Sequence, residues 1–351
     1  MLSIILPTRN KPEFLNRAFS CYSEQKLKYK IYVADSSSSE YREEVRKVIN
    51  KFSHTLELEY KEYQESDMPN DKIYFTLKNI TTKYSVITAD DDFHIPKTLD
   101  FCVDFLEKNP DYSAVHGDAL FFKMKNQKVF GEIESIYDYS FGKLISFEQN
   151  TAQERVSSYL NNVPSTTWMS VQRTENLLLN YKVSSEKKLN IMTFAEGFPS
   201  LMSYIQGKTK LLEGKLFIFR EAGAEKHYNK YVYSDWFSHI TDEKWIKDYN
   251  SVTKVLIEQI ADKDNISKEK AKEFFHKEYM FFFFKNLQEN INKLYIPKSK
   301  EALKQKIINK LRNYSFIKKI WYRYNTKRSG VLDRYKEDFE PIRKVIEETK
   351  I

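Results

Sequence analysis

The sequence has few of the features that characterise secreted or membrane-spanning proteins. Only two of its 351 residues are cysteines. Both Cys21 and Cys102 fall on predicted helices, so we expect neither a disulfide framework nor a cysteine-based zinc site. The longest apolar run, residues 279–284, is far shorter than the roughly 20 residues that span a bilayer. No internal repeat is visible, and no basic region precedes the first predicted strand at Leu2. We therefore expect a cytoplasmic protein.

Positive charge is concentrated near the carboxyl end. The chain has a net charge of +8, whereas residues 293–328 contain 12 Lys or Arg and one acidic residue, a net charge of +11. Apolar residues recur there at helical spacing. This pattern is typical of helices lying on an anionic membrane, which would place the protein at the inner face of the membrane. Alternatively, the apolar stripe packs on the rest of the protein. Nucleic-acid binding is not expected, because no recognised motif accompanies the charge.

The first 90 residues alternate between strand and helix patterns. Short strands are predicted at residues 2–6, 30–34, 56–60 and 84–89, and a helical pattern follows each of the first three. Ser37 and Glu40 have the spacing of a capping box at the start of the second helix. Strand and helix thus alternate through four strands. This order predicts an α/β fold with a mostly parallel mixed sheet covered on both faces.

Three consecutive carboxylates follow the fourth predicted strand. Asp90, Asp91 and Asp92 repel one another, and Asp is unfavourable inside a strand. Their expected place is the carboxyl end of the strand, where open α/β sheets bind ligands. Clustered carboxylates suit Mg²⁺ or Mn²⁺, which would hold the phosphates of a nucleotide. The alternative is a solvated acidic turn that caps the helix opened by Pro96.

Residues 1–225 resemble the GT-A glycosyltransferases, particularly the inverting family 2. The matching positions are Ile4-Ile5-Leu6-Pro7-Thr8-Arg9-Asn10 on the first strand, Asp35 at the end of the second, and Ala89-Asp90-Asp91-Asp92 at the end of the fourth. The resemblance implies a nucleoside-diphosphate-sugar donor, with the first loop and Asp35 at the nucleoside and the Asp motif at Mn²⁺ or Mg²⁺. One register puts Ala89 at the first Asp of the family motif, and the other aligns the motif with Asp90-Asp91-Asp92. We therefore take Asp91 as the first metal candidate, Asp92 as the second and Asp90 as a ribose contact.

The same resemblance implies a catalytic base near residue 196. Family 2 enzymes usually have a Glu-Asp pair here, and this chain has Glu196 followed by Gly197. A carboxylate held within reach of the acceptor hydroxyl can accept its proton, so we take Glu196 as the base. The alternative is that Glu196 caps the following helix. Asp118, after a strand predicted at residues 112–115, is the second candidate and would contact sugar, unless it is simply a turn residue.

One histidine and three cations complete the predicted site. His227 lies where some metal-dependent GT-A enzymes recruit a third metal ligand, although a surface histidine is the alternative. Arg220 would neutralise the diphosphate, because a guanidinium makes bidentate contacts with phosphate. Arg9 and Lys72 are further candidates for the same role.

These patterns predict a GT-A domain at 1–230, with a nucleotide-sugar half at 1–118 and an acceptor half at 119–230, and a helical, basic region at 231–351. The expected activity is metal-dependent transfer of one sugar to a hydroxyl of a glycan or lipid-linked glycan, as in cell-surface polysaccharide biosynthesis. Inversion follows from the family resemblance, and the absence of the processive Gln-x-x-Arg-Trp signature favours single-sugar addition. The alternatives are a nucleotidyltransferase of similar fold and a non-catalytic basic protein that binds membranes or nucleic acid.

Overall fold

A computed structural model of the protein describes residues 1–138, 145–161, 167–189, 192–222, 241–295 and 330–349. The strands are β1 (Leu2–Thr8), β2 (Lys30–Asp35), β3 (Leu58–Glu62), β4 (Tyr84–Ile87), β5 (Asp92–His94), β6 (Tyr112–Met124), β7 (Ile133–Asp138), β8 (Val171–Arg173) and β9 (Lys208–Glu221). The helices are α1 (Pro12–Glu24), α2 (Ser39–Phe52), α3 (Pro69–Leu77), α4 (Pro96–Lys108), α5 (Ala152–Asn161), α6 (Thr174–Glu186), α7 (Met192–Gln206), α8 (Glu243–Asp264), α9 (Lys268–Tyr295), α10 (Val331–Arg334) and α11 (Lys336–Glu348).

A mixed sheet runs through the centre of the protein in the order β3-β2-β1-β4-β8-β6-β9-β5, with β7 paired to β6. Strands β3, β2, β1 and β4 form a block in which adjacent strands run parallel to one another. Nearly every residue of β1 and β2 is buried, as expected for parallel strands covered by helices on both faces. This architecture confirms the predicted α/β class.

The second half of the sheet mixes strand directions. Strand β8 is antiparallel to both β4 and β6, whereas β6 and β9 run parallel along most of their length. The short strand β5 pairs antiparallel with the last residues of β9. Because β5 begins at Asp92, this pairing brings the end of β9 to the predicted Asp-rich site.

Helices α5, α7, α8 and α9 build a second hydrophobic core. Its aromatic centre includes Trp245 on α8, which stacks on Tyr249 with ring centroids 5.1 Å apart and packs against Phe283 of α9 at 5.7 Å. This core also contains Phe198 and Met202 of α7. The helix that carries Glu196 is therefore held by helices from the predicted C-terminal region. None of the helices among the described residues is long and apolar enough to cross a membrane.

Helix α11 returns to the first core. Phe339, Ile342 and Ile346 are buried together with residues of β1, β6 and β9. The ring of Phe339 stacks on Phe219 at 5.6 Å, and the Gly131 N–H donates to the Ile346 carbonyl at 2.8 Å. The region predicted as one helical appendage thus divides between the two cores. His227 and residues 296–328 of the basic segment lie outside the described residues.

Candidate active site

In the Asp triplet, Asp90 and Asp91 lie in the turn between β4 and β5, and Asp92 begins β5. Parallel strands β1, β2 and β4 all end at this edge of the sheet. The sequence predicts the three carboxylates at such an edge, because they repel one another. Asp92 lies opposite Arg220 in the β5–β9 ladder, and the Asp91 carbonyl accepts a hydrogen bond from the Glu221 N–H at 3.3 Å. Hydrogen bonding between the start of β5 and the end of β9 therefore fixes the backbone of the triplet.

The first carboxylate, Asp90, faces the loop after β1. It accepts hydrogen bonds from the Thr8 hydroxyl at 2.8 Å and from Lys11 Nζ at 3.2 Å. Burial raises the pKa of Asp90, and the ammonium group of Lys11 opposes that rise. Asp90 is thus tied to the first loop, which the resemblance assigns to the nucleoside.

The third carboxylate, Asp92, is only 2% exposed and pairs with Arg220, whose Nε lies 3.0 Å from Asp92 Oδ2. Burial raises the pKa of Asp92 to about 7, although the neighbouring guanidinium acts in the opposite direction. Arg220 thus pairs with one of the two Asp92 carboxylate oxygens, and only 3% of the Asp92 side chain is exposed. The structure therefore does not present Asp92 as the open ligand that the sequence predicted.

The middle carboxylate, Asp91, is half-buried. Within the described part of the chain, its side chain forms no ion pair and accepts no hydrogen bond. Mg²⁺ in nucleotide sites is commonly held by one or two carboxylates together with substrate phosphates, so this single open carboxylate fits such an ion. No group of three His, Cys, Asp or Glu side chains among the described residues has the geometry of a complete protein-only metal site.

A buried ion pair that the sequence reasoning missed supports the triplet. Arg17 of α1 has a fully buried side chain and donates from Nη2 to Glu221 Oε2 at 2.5 Å. Burial raises the pKa of Glu221, and Arg17 opposes that rise. Lys11 is close enough to Glu221 to lower its pKa as well, so one cation lies near both Asp90 and Glu221. In the sequence, the one indication of this ion pair is an arginine that falls on the apolar face of α1.

Two loops after β1 and β2 are joined by polar side chains. Asn10 has φ 55° and accepts at Oδ1 from the Ser38 N–H, while its own N–H donates to Ser37 Oγ, both at 2.8 Å. Asp35 is fully buried and accepts from the Ser37 N–H and from the Tyr60 hydroxyl, also at 2.8 Å. The Ser37 hydroxyl also bonds to Asp35, and the predicted capping box is absent from the start of α2. Both oxygens of Asp35 thus already accept hydrogen bonds from the protein, and the nucleoside contact at Asp35 stays a prediction.

Lys72 lies beneath the same loops. Its Nζ donates to the Thr8 carbonyl and to Ser36 Oγ, both at 2.9 Å. Burial lowers the pKa of Lys72 to about 8. Arg9, by contrast, is exposed and pairs with Glu65 at 3.3 Å, and Pro7 lies within β1 opposite Ala34. Lys72 therefore supports the first loop from inside the protein rather than reaching into solvent.

Glu196 lies within α7, beyond its first turn, with its side chain half-buried. The neighbouring Ala195 carbonyl accepts from Asn70 Nδ2 at 3.1 Å. Asn70 and Lys72 are both at the start of α3, so α7 and the β1 loop approach the same end of that helix. This position is too far into the helix for Glu196 to be its N-cap.

Asp118 occupies a different environment from the predicted one. The predicted strand at 112–115 continues to Met124, so Asp118 lies inside β6 rather than in a turn. Its Oδ2 accepts from the Gly214 N–H at 2.6 Å and from the Tyr335 hydroxyl at 2.5 Å. Both partners are structural elements, the bend within β9 and the residue before α11. The alternative of a turn residue is therefore wrong, and the role of Asp118 as a sugar contact or base stays a prediction.

Comparisons with known proteins identify the fold. The profile described as Glycosyl transferase family 2 matches residues 3–175, and no curated protein matches the chain. The structure of S. aureus TarS 1-349 in complex with UDP-GlcNAc superposes with a TM-score of 0.55 at 14% identity, over 98% of this chain and 90% of that one. The complex of S. aureus TarS 1-349 with UDP gives a TM-score of 0.51 at 16% identity, over 98% and 89%.

A longer structure of S. aureus TarS gives a TM-score of 0.52 at 15% identity, over 98% of this chain and 54% of that one. The present chain thus spans about half the length of the longer TarS structure. The superpositions establish the fold, and the profile match establishes the family of the N-terminal half. Residues 3–175 are a glycosyl transferase family 2 domain, and the chain is a glycosyltransferase of the GT-A fold.

Proposed function

We propose that this glycosyltransferase moves one sugar from a nucleoside-diphosphate sugar to a hydroxyl of a glycan or lipid-linked glycan, with a divalent cation at Asp91. The observation that carries the proposal is the arrangement around Asp91, an open carboxylate between two paired ones at the carboxyl ends of β1, β2 and β4. The donor class is supported by the family match and by the UDP-GlcNAc bound to the structurally similar TarS.

Two cations beside Asp91 suit the diphosphate. The Lys11 side chain is 18% exposed and that of Arg220 is 36% exposed, so both reach solvent from a largely buried cluster. Arg220 contacts Asp92 through Nε, and within the described residues its two terminal nitrogens donate no hydrogen bond. A guanidinium in this position can contact a phosphate through two N–H groups. We assign Arg220 and Lys11 to the diphosphate.

A bound Mg²⁺ or Mn²⁺ would neutralise charge that develops on the leaving diphosphate. Asp91 is the residue of this chain that would hold the ion. Asp90 and Asp92 keep Lys11 and Arg220 in place, so they orient the cations that contact the donor. Glu196 would accept the proton of the attacking hydroxyl at its carboxylate. Attack on the face opposite the leaving group would invert the configuration of the transferred sugar.

The Glu196→Gln variant tests the assignment of the base. Glutamine keeps the size of the side chain but cannot accept the proton, so turnover should fall by about 10²–10⁴-fold while donor affinity is retained. The measurements are transfer rates and donor titrations with a panel of nucleoside-diphosphate sugars. Glu175→Gln, at an exposed glutamate of α6, is the matched control and should change neither quantity. Unchanged turnover in Glu196→Gln would remove Glu196 from the mechanism.

A further inference from the structure

Helix α9 carries aromatic residues on two opposite faces. One face is buried in the second core and includes Phe275, Tyr279 and Phe283. On the other face, Phe281 is 60% exposed and Phe284 is 61% exposed. Apart from Met1, these are the most exposed large apolar side chains among the described residues. The buried face accounts for the packing of α9. Phe284 touches the edge of the Phe283 ring, with centroids 5.8 Å apart, but most of the Phe281 and Phe284 side chains stays uncovered.

The exposed apolar residues share one side of the helix, with the exposed polar residue Gln288 between Phe284 and Ile291. Ile291 is 45% exposed and falls on the same side of α9 as Phe281 and Phe284, because a helix advances about 100° per residue. The three side chains lie within an arc of roughly 80° and along roughly 15 Å of the helix axis. Single exposed apolar side chains are common, whereas a contiguous group marks an interaction surface. We call Phe281, Phe284 and Ile291 the α9 stripe.

We propose that the α9 stripe docks the protein on an anionic membrane surface. Lys277 lies on the same arc and is exposed. Lys285 flanks the stripe, is also exposed, and donates to the Asn161 carbonyl at 3.3 Å. The chain that continues from α9 carries the +11 charge of residues 293–328. Aromatic side chains that enter the interface, beside cations that face anionic headgroups, are the features of an interfacial helix.

The charge also argues against a second copy of the chain as the partner. Each copy carries a net charge of +8, and repulsion between like-charged chains opposes a dimer joined through the α9 stripe. An anionic lipid surface instead attracts both the stripe and the segment that follows it. Attraction to such a surface decays within a Debye length, so the binding should weaken as salt is added.

Docking through α9 would have a consequence for the reaction. Helix α9 packs on α5 and α8, and these two helices also contact α7, the helix of Glu196. The membrane would therefore adjoin the group of helices that includes α7, and a lipid-linked acceptor would be presented beside that group. This consequence rests on the proposed function, whereas the docking itself does not.

Vesicle co-sedimentation of the full chain tests the docking. The wild type should pellet with vesicles of phosphatidylcholine and phosphatidylglycerol at low salt, and should remain in solution with phosphatidylcholine alone. Replacing Phe281 and Phe284 with Ser together should lower the partition coefficient at least about tenfold, because two aromatic side chains no longer enter the interface. Phe101→Ser, at a phenylalanine 36% exposed on α4, is the control and should bind like the wild type.

Two further measurements make the outcome decisive. Circular dichroism and UDP binding should be the same for the double variant and the wild type, because the stripe lies outside the donor site. Equal vesicle binding by the double variant and the wild type would overturn the proposal and assign binding to the basic segment alone. Failure of the wild type to bind anionic vesicles would also overturn it, and would indicate that another part of the protein covers the stripe. A wild type that binds anionic vesicles but transfers no sugar would count against the proposed function and leave the docking standing.

Discussion

Replacing Arg17 with methionine should lower the free energy of unfolding by about 3–5 kcal/mol, the usual cost of removing one partner from a buried ion pair. The Arg17 side chain is fully buried, and the Glu221 side chain is 5% exposed. Without Arg17, the Glu221 carboxylate would lose its partner at 2.5 Å and remain in a site where burial already raises its pKa. Arg17→Met would also remove the hydrogen bond from Nη1 to the Val129 carbonyl at 2.7 Å.

The double variant Arg17→Met with Glu221→Leu removes both charges at once. Replacing a buried ion pair with apolar residues of similar volume is often close to neutral, so the double variant should recover most of the lost stability. The two single substitutions should therefore be strongly non-additive. Arg46→Met, which breaks an exposed ion pair with Glu62, is the control and should hardly move the urea midpoint.

Urea unfolding followed by tryptophan fluorescence and by circular dichroism provides the measurement. Coincident transitions by the two probes would justify a two-state treatment of this chain with two cores. A cost below about 1 kcal/mol for Arg17→Met would refute the reasoning, because it would mean that Glu221 finds water or another partner when Arg17 is removed. Equal destabilisation by the double variant and by the sum of the single variants would refute it as well.

Two other predictions concern Asp92 and Asp118. Burial raises the pKa of folded Asp92 to about 7, so the folded chain holds a proton that the unfolded chain has lost between about pH 4 and pH 7. The stability that this proton provides is complete below pH 4 and is lost as the pH rises through 7. Between pH 4 and pH 7, urea titrations should show the free energy of unfolding of the wild type falling by up to about 4 kcal/mol relative to that of Asp92→Asn. Tyr335→Phe should cost about 1–2 kcal/mol by removing the hydrogen bond to Asp118, and should leave donor affinity unchanged. A drop in donor affinity without a loss of stability would return Asp118 to the active site.

Much of the nucleotide-binding half was predictable from local patterns. Alternating strands and helices give the parallel block, because buried parallel strands are apolar throughout and the helices between them have an apolar face. The position of the Asp triplet followed from carboxylate repulsion, which makes a strand interior unfavourable. These signals lie within short stretches of sequence, so no knowledge of distant contacts was needed.

The side-chain partners within the site depended on distant contacts. Asp92 and Arg220 meet because β5 pairs with the end of β9, and Arg17 reaches Glu221 because α1 packs against that same edge. The strand that contains Asp118 is longer than its apolar pattern suggested, because pairing with β9 extends it. Neither effect leaves a local pattern, so the sequence indicated which residues are charged but not which charges are paired.

The position of α11 could not be read from the sequence for the same reason. Phe339, Ile342 and Ile346 have ordinary helical spacing, which predicts an apolar face but not the surface it covers. In the structure that surface is the first core, which is built mainly from residues between Leu2 and Phe219. Long-range packing of this kind requires the folded arrangement of the sheet.

The most direct test of the central claim is calorimetric titration of UDP into the protein with and without Mn²⁺. If Asp91 holds the ion that contacts the diphosphate, Mn²⁺ should strengthen UDP binding to the wild type at least about tenfold, and Asp91→Asn should remove this enhancement while keeping the metal-free affinity. Asp104→Asn, at an exposed aspartate of α4, should behave like the wild type. The same UDP affinity in Mn²⁺ and in excess EDTA for the wild type would contradict the account, and would leave the diphosphate to Lys11 and Arg220 alone.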